Sequence, residues 1–203
     1  STIAYSKILK KYNGWCFSFE PALKNILCFS KNTSRLKNVS LLSLGLGDKK
    51  EPMSLGIPAY VDDVGKDINN TGLLSAKLPL DKKIEIFRSA SIQLDSIVES
   101  FCSNDEQIVF VKIDVEGYES QVIRGALGAF KTYFPSIQME YNPRTNSKEE
   151  ILEIFSSLFL LGYNCYLEGE FSFVEQVELY FIHTTNTSII DFFDSSHFCK
   201  KTL

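Results

Sequence analysis

The segment Lys112-Ile-Asp-Val-Glu-Gly-Tyr-Glu119 holds the densest chemistry in the chain. The apolar run Ile108-Val-Phe-Val-Lys-Ile113 before it has a strand pattern, so Asp114 and Glu116 fall at a strand's C-terminal end. Gly117 then releases the backbone into a helix. Two carboxylates this close are costly to bury unless a cation, a proton or several donors compensate them. A positive sulfonium centre would do so, as would a substrate hydroxyl about to lose its proton. The plainer alternative gives at least one of the pair to capping the helix that starts near Tyr118. Glu140 ends the next strand, and the candidates for a general base are Asp114, Glu116 and Glu140, in that order. Three such oxygens could hold magnesium, but no dense ligand motif accompanies them and no metal site is predicted. His183 is a weaker base candidate, because a lone histidine at an edge strand is more often structural. His197-Phe-Cys199 is too sparse to read as zinc ligation.

A second set of strand ends lies nearer the start. Glu20 closes the run Trp15-Cys-Phe-Ser-Phe19. A carboxylate at the tip of the second strand of an α/β sheet can accept both ribose hydroxyls of a nucleoside-containing cofactor. Alternatively it is a solvent-facing acid at the N-terminus of a helix opened by Pro21. In Gly45-Leu46-Gly47-Asp48 the glycines leave the backbone bare, either for a flat adenine or for a plain turn.

The elements that must position these residues follow from periodicity. Ser1 to Tyr12 has helical spacing and stops at Asn13-Gly14, and a helix over about 22–30 carries Leu23, Ile26, Leu27 and Ser30 on one face. Trp15–Phe19 and Val39–Leu44 read as buried strands. Lys49 to about Pro79 is punctuated by Gly56, Pro58, Gly65, Asn69-Asn70 and Gly72, so it reads as a long loop or loose hairpin; Tyr60, Asp62 and Asp63 in it could hydrogen-bond a polyol, although a solvated loop is the commoner explanation. Ile84–Phe87 suggests a short strand. Leu94, Ile97, Val98 and Phe101 at i, i+3, i+4 and i+7 predict an amphipathic helix. A helix from Tyr118 to about Phe130, a strand over Ser136–Glu140, and a helix over Ile151–Leu161 behind the capping box Ser147-Lys-Glu-Glu150 come next. Gly162–Tyr166 and Val177–His183 read as an antiparallel pair, and the residues after Thr184 lack a clear period. Fully apolar strands alternating with helices predict a doubly wound, mostly parallel α/β sheet with an antiparallel C-terminal edge. In such a sheet ligands sit at the strands' carboxyl ends, with the strand that precedes Asp114 expected to be central.

Composition narrows the function classes. The 203 residues are 44% apolar and 23% charged, enough for one sizeable core. Lys plus Arg number 21 against 25 Asp plus Glu, a net charge of −4 with basic residues only in scattered pairs, which argues against nucleic acid as a partner. No stretch reaches the roughly 18–20 apolar residues of a membrane span. Five scattered cysteines without a C-x-x-C and no visible signal peptide point to reduced thiols in the cytoplasm. Chance then explains the sequons at Asn32, Asn38, Asn69 and Asn186. Oligomeric state leaves no mark.

Phe19-Glu-Pro21, Gly45-Leu-Gly-Asp48, Leu94-Asp-Ser-Ile97, Val111 to Glu119 with Val122-Ile-Arg-Gly-Ala126, and Pro135-Ser-Ile-Gln-Met-Glu140 occur in the order and spacing of the FkbM-type methyltransferases. The resemblance covers roughly residues 1–183, and its 111–126 block is the specific part. It implies a Rossmann-like, S-adenosylmethionine-dependent enzyme, usually an O-methyltransferase of sugars or small metabolites, with a small-molecule or glycan acceptor. It also implies that Glu20 binds the ribose, that Gly47 and Asp48 border the adenine, and that Asp114 lies close to the methionine end and the acceptor. The domain would span residues 1–185, with 186–203 as a tail. The family opens with a strand and a D-x-G-x-x-x-G loop, and this sequence contains no such loop. The first strand is therefore expected to be missing, the chain being a piece of a longer protein or a methyltransferase relic, and these 203 residues alone should bind cofactor poorly. Two rivals stand beside it: a non-catalytic methyltransferase-like binding or assembly module, and a nicotinamide dehydrogenase, which would need a G-x-G-x-x-G turn.

Overall fold

The structure is a computed structural model that describes residues 2–58, 60, 61, 67, 68, 84–103, 106–169, 171–195 and 198–201. The chain divides into two compact units, Ser1–Ile92 and Gln93–Leu203.

In the first unit, helix α1 (Thr2–Leu9) continues as a 3-10 turn to Tyr12 and ends where Asn13 takes a left-handed conformation, the expected stop. Strand β1 (Cys16–Phe19), helix α2 (Leu23–Thr33) and strand β2 (Val39–Leu42) form a strand–helix–strand unit in which β1 and β2 pair in parallel. Asn38 ties this unit together: its amide donates to the carbonyls of Ser6 and Gly14, and its oxygen accepts the Ser6 hydroxyl. Both strands were expected to be buried and are half-buried instead. The inward face of α2 also differs from expectation. Leu23 and Leu27 are each 63% exposed, and the covered stripe is Ala22, Ile26, Phe29 and Thr33, a helical register that the same periodicity admits. The helix starts at Leu23 with Ala22 as its N-cap, so Pro21 lies just ahead of the helix rather than at its first position.

Strand β3 (Gly45–Leu46) pairs in parallel with the end of strand β7 (Ile84–Ile92), which runs antiparallel to all eight residues of strand β4 (Glu51–Pro58). The expected loose loop therefore begins as a full strand, and the short strand at Ile84 is nine residues long. Strand β5 (Tyr60–Val61) pairs with strand β6 (Asp67–Ile68). Positions 59, 62–66 and 69–79 of the proposed acceptor loop, Asp62 and Asp63 among them, lie outside the described residues.

The second unit begins with two 3-10 turns, Leu94–Ser96 and Val98–Ser100, in place of the expected amphipathic helix. Ser96 and Ser100 donate their hydroxyls to the carbonyls three residues back, in competition with a helical ladder. Asp95 turns away to accept the Gly128 and Ala129 N–H groups. It thereby satisfies free donors in the first turn of helix α4 (Leu127–Tyr133). Strand β8 (Phe110–Ile113) leads through helix α3 (Glu119–Arg124) and α4, which are separated at Gly125-Ala126, to strand β9 (Ser136–Tyr141), parallel to β8. Helix α5 (Lys148–Leu160) starts at a complete capping box in which the Ser147 hydroxyl accepts the Glu150 N–H and the Glu150 carboxylate accepts the Ser147 N–H. Strands β10 (Tyr163–Glu168) and β11 (Val177–His183) pair antiparallel as expected. The segment without a visible period forms helix α6 (Thr187–Ser195) and strand β12 (Phe198–Lys201) on the outer edge of β10.

The sheet order is β12-β10-β11-β9-β8. Among the described residues β8 is thus an end strand of its sheet rather than a central one. Only β8–β9 is parallel in it, so the sheet is mixed and not mostly parallel. One face carries Ile137, Met139, Leu179, Phe181, Cys165 and Leu167, all nearly inaccessible, against Ile151, Ile154, Phe155 and Leu158 of α5 and Val122 and Ile123 of α3. The opposite face turns polar where the strands end at Asp114 and Glu140.

Candidate active site

Lys112 and Asp114 alternate with buried Ile113, so both point to the face opposite the core. Register places Lys112 opposite Gln138, and Glu140 opposite Glu178 of β11. The Lys112 ammonium lies 3.5 Å from the Asp114 carboxylate and 3.7 Å from that of Glu178, which also accepts the Gln138 amide at 3.0 Å. Beyond Asp114 the chain makes a tight turn. Glu116 adopts φ 51° and Gly117 φ 99°, a left-handed pair that swings the Glu116 side chain back toward the strand ends.

The result is that Asp114, Glu116 and Glu140 each place a carboxylate oxygen within 4.8 Å of the others. The three residues ranked as bases from sequence are thus brought together, from two parallel strands. Their environments differ. Asp114 is exposed beside a lysine, whereas Glu116 is half-buried. Burial, followed by the negative charges of Glu140, Asp114 and Glu119, pushes the Glu116 carboxyl up to about 7. Burial raises Glu140 as well, opposed by the amide of Gln176, which donates to it from the segment before β11. Such a cluster can share a proton, accept one from a hydroxyl, or hold a cation through its three oxygens.

The cap expected from Asp114 or Glu116 falls elsewhere: Tyr118 takes the N-cap position of α3. The reach-back is made by Glu119, whose Oε1 accepts the N–H groups of Val115 at 3.3 Å and Gly117 at 3.2 Å. Glu119, Lys112, Gln176 and Glu178 were not singled out from sequence. Glu119 had a signal, an acid in the first helical turn two residues after a glycine, where reach-back to free N–H groups is favoured. Lys112 had one too, since it lies two residues before Asp114 on the same face of β8, whereas Glu178 and Gln176 reach the site only through the β9–β11 pairing, which no local pattern encodes.

In the first unit, Glu20 sits at the end of β1 as expected. Its two oxygens accept the Ala22 N–H at 2.9 Å and the Asn25 amide at 3.3 Å, so it braces the start of α2. A carboxylate offers about four acceptor positions, which leaves room for hydroxyl donors. Gly47 is buried, with its N–H on the carbonyl of Ile92, and Asp48 follows it half-buried. At Gly45 a side chain would collide with Met53, whose sulfur would lie 2.9 Å from a Cβ, so this glycine serves close packing. His183 is structural. One ring nitrogen donates to the Leu161 carbonyl, the other accepts the Thr185 N–H, and the ring stacks on Phe134 at 4.0 Å. It lies five residue steps along β11 from Glu178, roughly 16 Å.

Among the described residues no helix is long and apolar enough to cross a membrane. No curated protein matches the sequence. The chain is similar to the crystal structure of Methyltransferase FkbM from Methylobacillus flagellatus KT, with 17% identity and a TM-score of 0.48, over 82% of this chain and 36% of that one. It thus spans little more than a third of that protein's length. The profile of the Methyltransferase FkbM domain matches residues 1–165. The chain belongs to the FkbM methyltransferase domain family.

Proposed function

We propose that this chain is an S-adenosylmethionine-dependent methyltransferase that methylates a hydroxyl of a sugar or other small metabolite, on a Rossmann-like frame. Two parallel strand–helix–strand units, β1-α2-β2 and β8-α3-α4-β9, support that frame. The observation that carries the chemistry is the half-buried Glu116, raised to about 7 among other acids at the ends of β8 and β9.

S-adenosylmethionine, when bound, supplies an electrophilic methyl group on a positively charged sulfur. Glu20 is the residue to hold its ribose, since both oxygens are fixed by α2 and keep acceptor capacity; Gly47 and Asp48 are carried to the adenine by the family resemblance. The work of the chain's own acids is to take up the acceptor's hydroxyl proton. A base near the operating pH is half ionised there and still basic enough to accept a proton, a combination worth about 10²–10⁴ in rate. Glu116 fits that task better than Asp114, which is exposed beside Lys112, so the order of candidates becomes Glu116 before Asp114 and Glu140. Lys112, Gln138, Glu178 and Gln176 surround the acids with donors and acceptors suited to the neighbouring hydroxyls of a polyol or glycan.

The test is calorimetric titration of the native full-length protein with S-adenosylhomocysteine, paired with transfer of labelled methyl groups to a panel of sugars and small alcohols. Micromolar binding that Glu20→Ala removes, with turnover that Glu116→Gln lowers by at least about 100-fold, supports the enzyme. A protein that binds no S-adenosylhomocysteine is instead a binding or assembly module.

A further inference from the structure

We propose that Glu119 and Asn146 form a buried clamp whose role is to position Glu116 against Glu140, by tying the turn that follows β8 to the turn that follows β9. Neither side chain reaches solvent: Glu119 is 3% exposed and Asn146 6%. Both are therefore positioning residues. The inference rests on the three strand-end acids being the working groups.

The clamp consists of four hydrogen bonds. Through Oε1, Glu119 accepts the N–H groups of Val115 and Gly117, which bracket Glu116 on either side. Through Oε2 it accepts the Asn146 amide at 2.5 Å. Asn146 in turn accepts the Asn142 N–H at 3.1 Å through its own oxygen. Asn142 begins the turn one residue past the end of β9, so each strand-end turn is bound to the other by a single side-chain pair. The turns also touch directly, since a Cβ on Gly117 would lie 2.8 Å from the Thr145 carbonyl oxygen.

The arrangement answers a physical difficulty. Glu116 holds a left-handed backbone, φ 51°, that a non-glycine residue adopts at a cost. It also faces Glu140 and Asp114, which repel it. A turn free to relax would rotate Glu116 into water and release both penalties. Two backbone N–H groups locked onto one buried carboxylate, itself anchored across to the neighbouring turn, oppose that rotation.

The experiment is a carboxyl-carbon NMR titration of Glu116 in the wild type, in Asn146→Ala and in the double exchange Glu119→Gln with Asn146→Asp. Asn146→Ala removes the tie without altering any charge. The double exchange keeps one carboxylate and reverses the donor: the new amide donates to the new carboxylate, its oxygen still accepts the Val115 and Gly117 N–H groups, and the other carboxylate oxygen still accepts the Asn142 N–H. The clamp requires a wild-type midpoint near 7, a fall toward the ordinary carboxylate range in Asn146→Ala, and a return in the double exchange. A purely structural pair would lower the melting temperature of Asn146→Ala and leave the Glu116 midpoint in place, which overturns the proposal. If Asn146→Ala fails to fold, the double exchange decides. Folded with a midpoint near 7 it upholds the clamp; folded with an ordinary midpoint, or unfolded, it refutes it. Because no turnover is read, a wild-type midpoint already in the ordinary range overturns the poised acid and the clamp together, whereas a wild-type midpoint near 7 that Asn146→Ala leaves in place overturns the clamp alone.

Discussion

Replacing Glu116 by glutamine is expected to stabilise the protein at neutral and alkaline pH while lowering the proposed methyl transfer. The folded carboxyl is raised from 4.5 to about 7, so between those values the native state binds a proton that the unfolded chain has released. Stability linked to this group therefore falls as pH rises through the window from 4.5 to 7 and stays low above it. A shift of that size has a ceiling of about 3.4 kcal/mol at 1.36 kcal/mol per unit. Glu116 is partly exposed and screened by water, which reduces the realistic figure to about 1.5–2 kcal/mol. Glutamine keeps the shape and carries no charge, so it recovers that amount above pH 7 and nothing below pH 4. In a chain of this length the gain corresponds to a rise in Tm of about 3–8 °C. Thermal unfolding of both proteins at pH 4, 5.5, 7 and 8 measures it. A Tm difference that is independent of pH, or a variant less stable at pH 8, would refute the assignment of a buried, repelled carboxylate at this position.

Three further outcomes follow from the same geometry. Gln176→Leu removes the amide that holds Glu140 down, so the Glu140 midpoint should rise further in an NMR titration, and a fall would contradict the hydrogen bond. Gly117→Ala forces a side chain onto a backbone at φ 99° and against the Thr145 carbonyl, and should cost at least about 2 kcal/mol in chemical denaturation. Ser147→Ala deletes half of the capping box of α5 and should cost about 1 kcal/mol in the same assay, whereas a neutral result would mean that α5 is held by packing alone.

What could be read in the sequence is what local chemistry determines. The strand before Asp114, the strand ending near Glu140 and the cap at Ser147 all announce themselves through apolar runs and side chains with one strongly preferred role. Convergence of Asp114, Glu116 and Glu140 followed from placing acids at the ends of adjacent parallel strands. Where two local solutions were close in energy, the sequence pattern misled. Leu94, Ile97, Val98 and Phe101 have helical spacing, yet Asp95 accepts the N–H groups at the start of α4, and Ser96 and Ser100 bond back to the chain. The face of α2 was ambiguous because two apolar stripes share one helix, and periodicity alone does not choose between them. The long β4–β7 pairing and the α6–β12 segment depend on partners distant in sequence, and periodicity says nothing about those. Asn146 illustrates the limit most sharply: its bond to the Asn142 N–H is local, but its amide finds a carboxylate 27 residues away.

The two competing functions make opposite demands on these acids. An assembly module gains nothing from a strained turn that holds a carboxylate beside two others; replacing Glu116 would then stabilise the chain and leave its binding surface intact. A methyl transfer to a hydroxyl needs a group that is ionised before the reaction and neutral after it. Burial first, and then repulsion from Glu140, Asp114 and Glu119, makes Glu116 ready to take that proton, because protonation relieves both penalties. The same burial and repulsion that weaken the resting fold thus favour the products of the proposed step, and a clamp through Glu119 and Asn146 is what such a site requires in order not to relax. Loss of stability and gain of basicity have one source here. A variant that uncouples them, stable at pH 8 and fully active, would show that the base lies elsewhere.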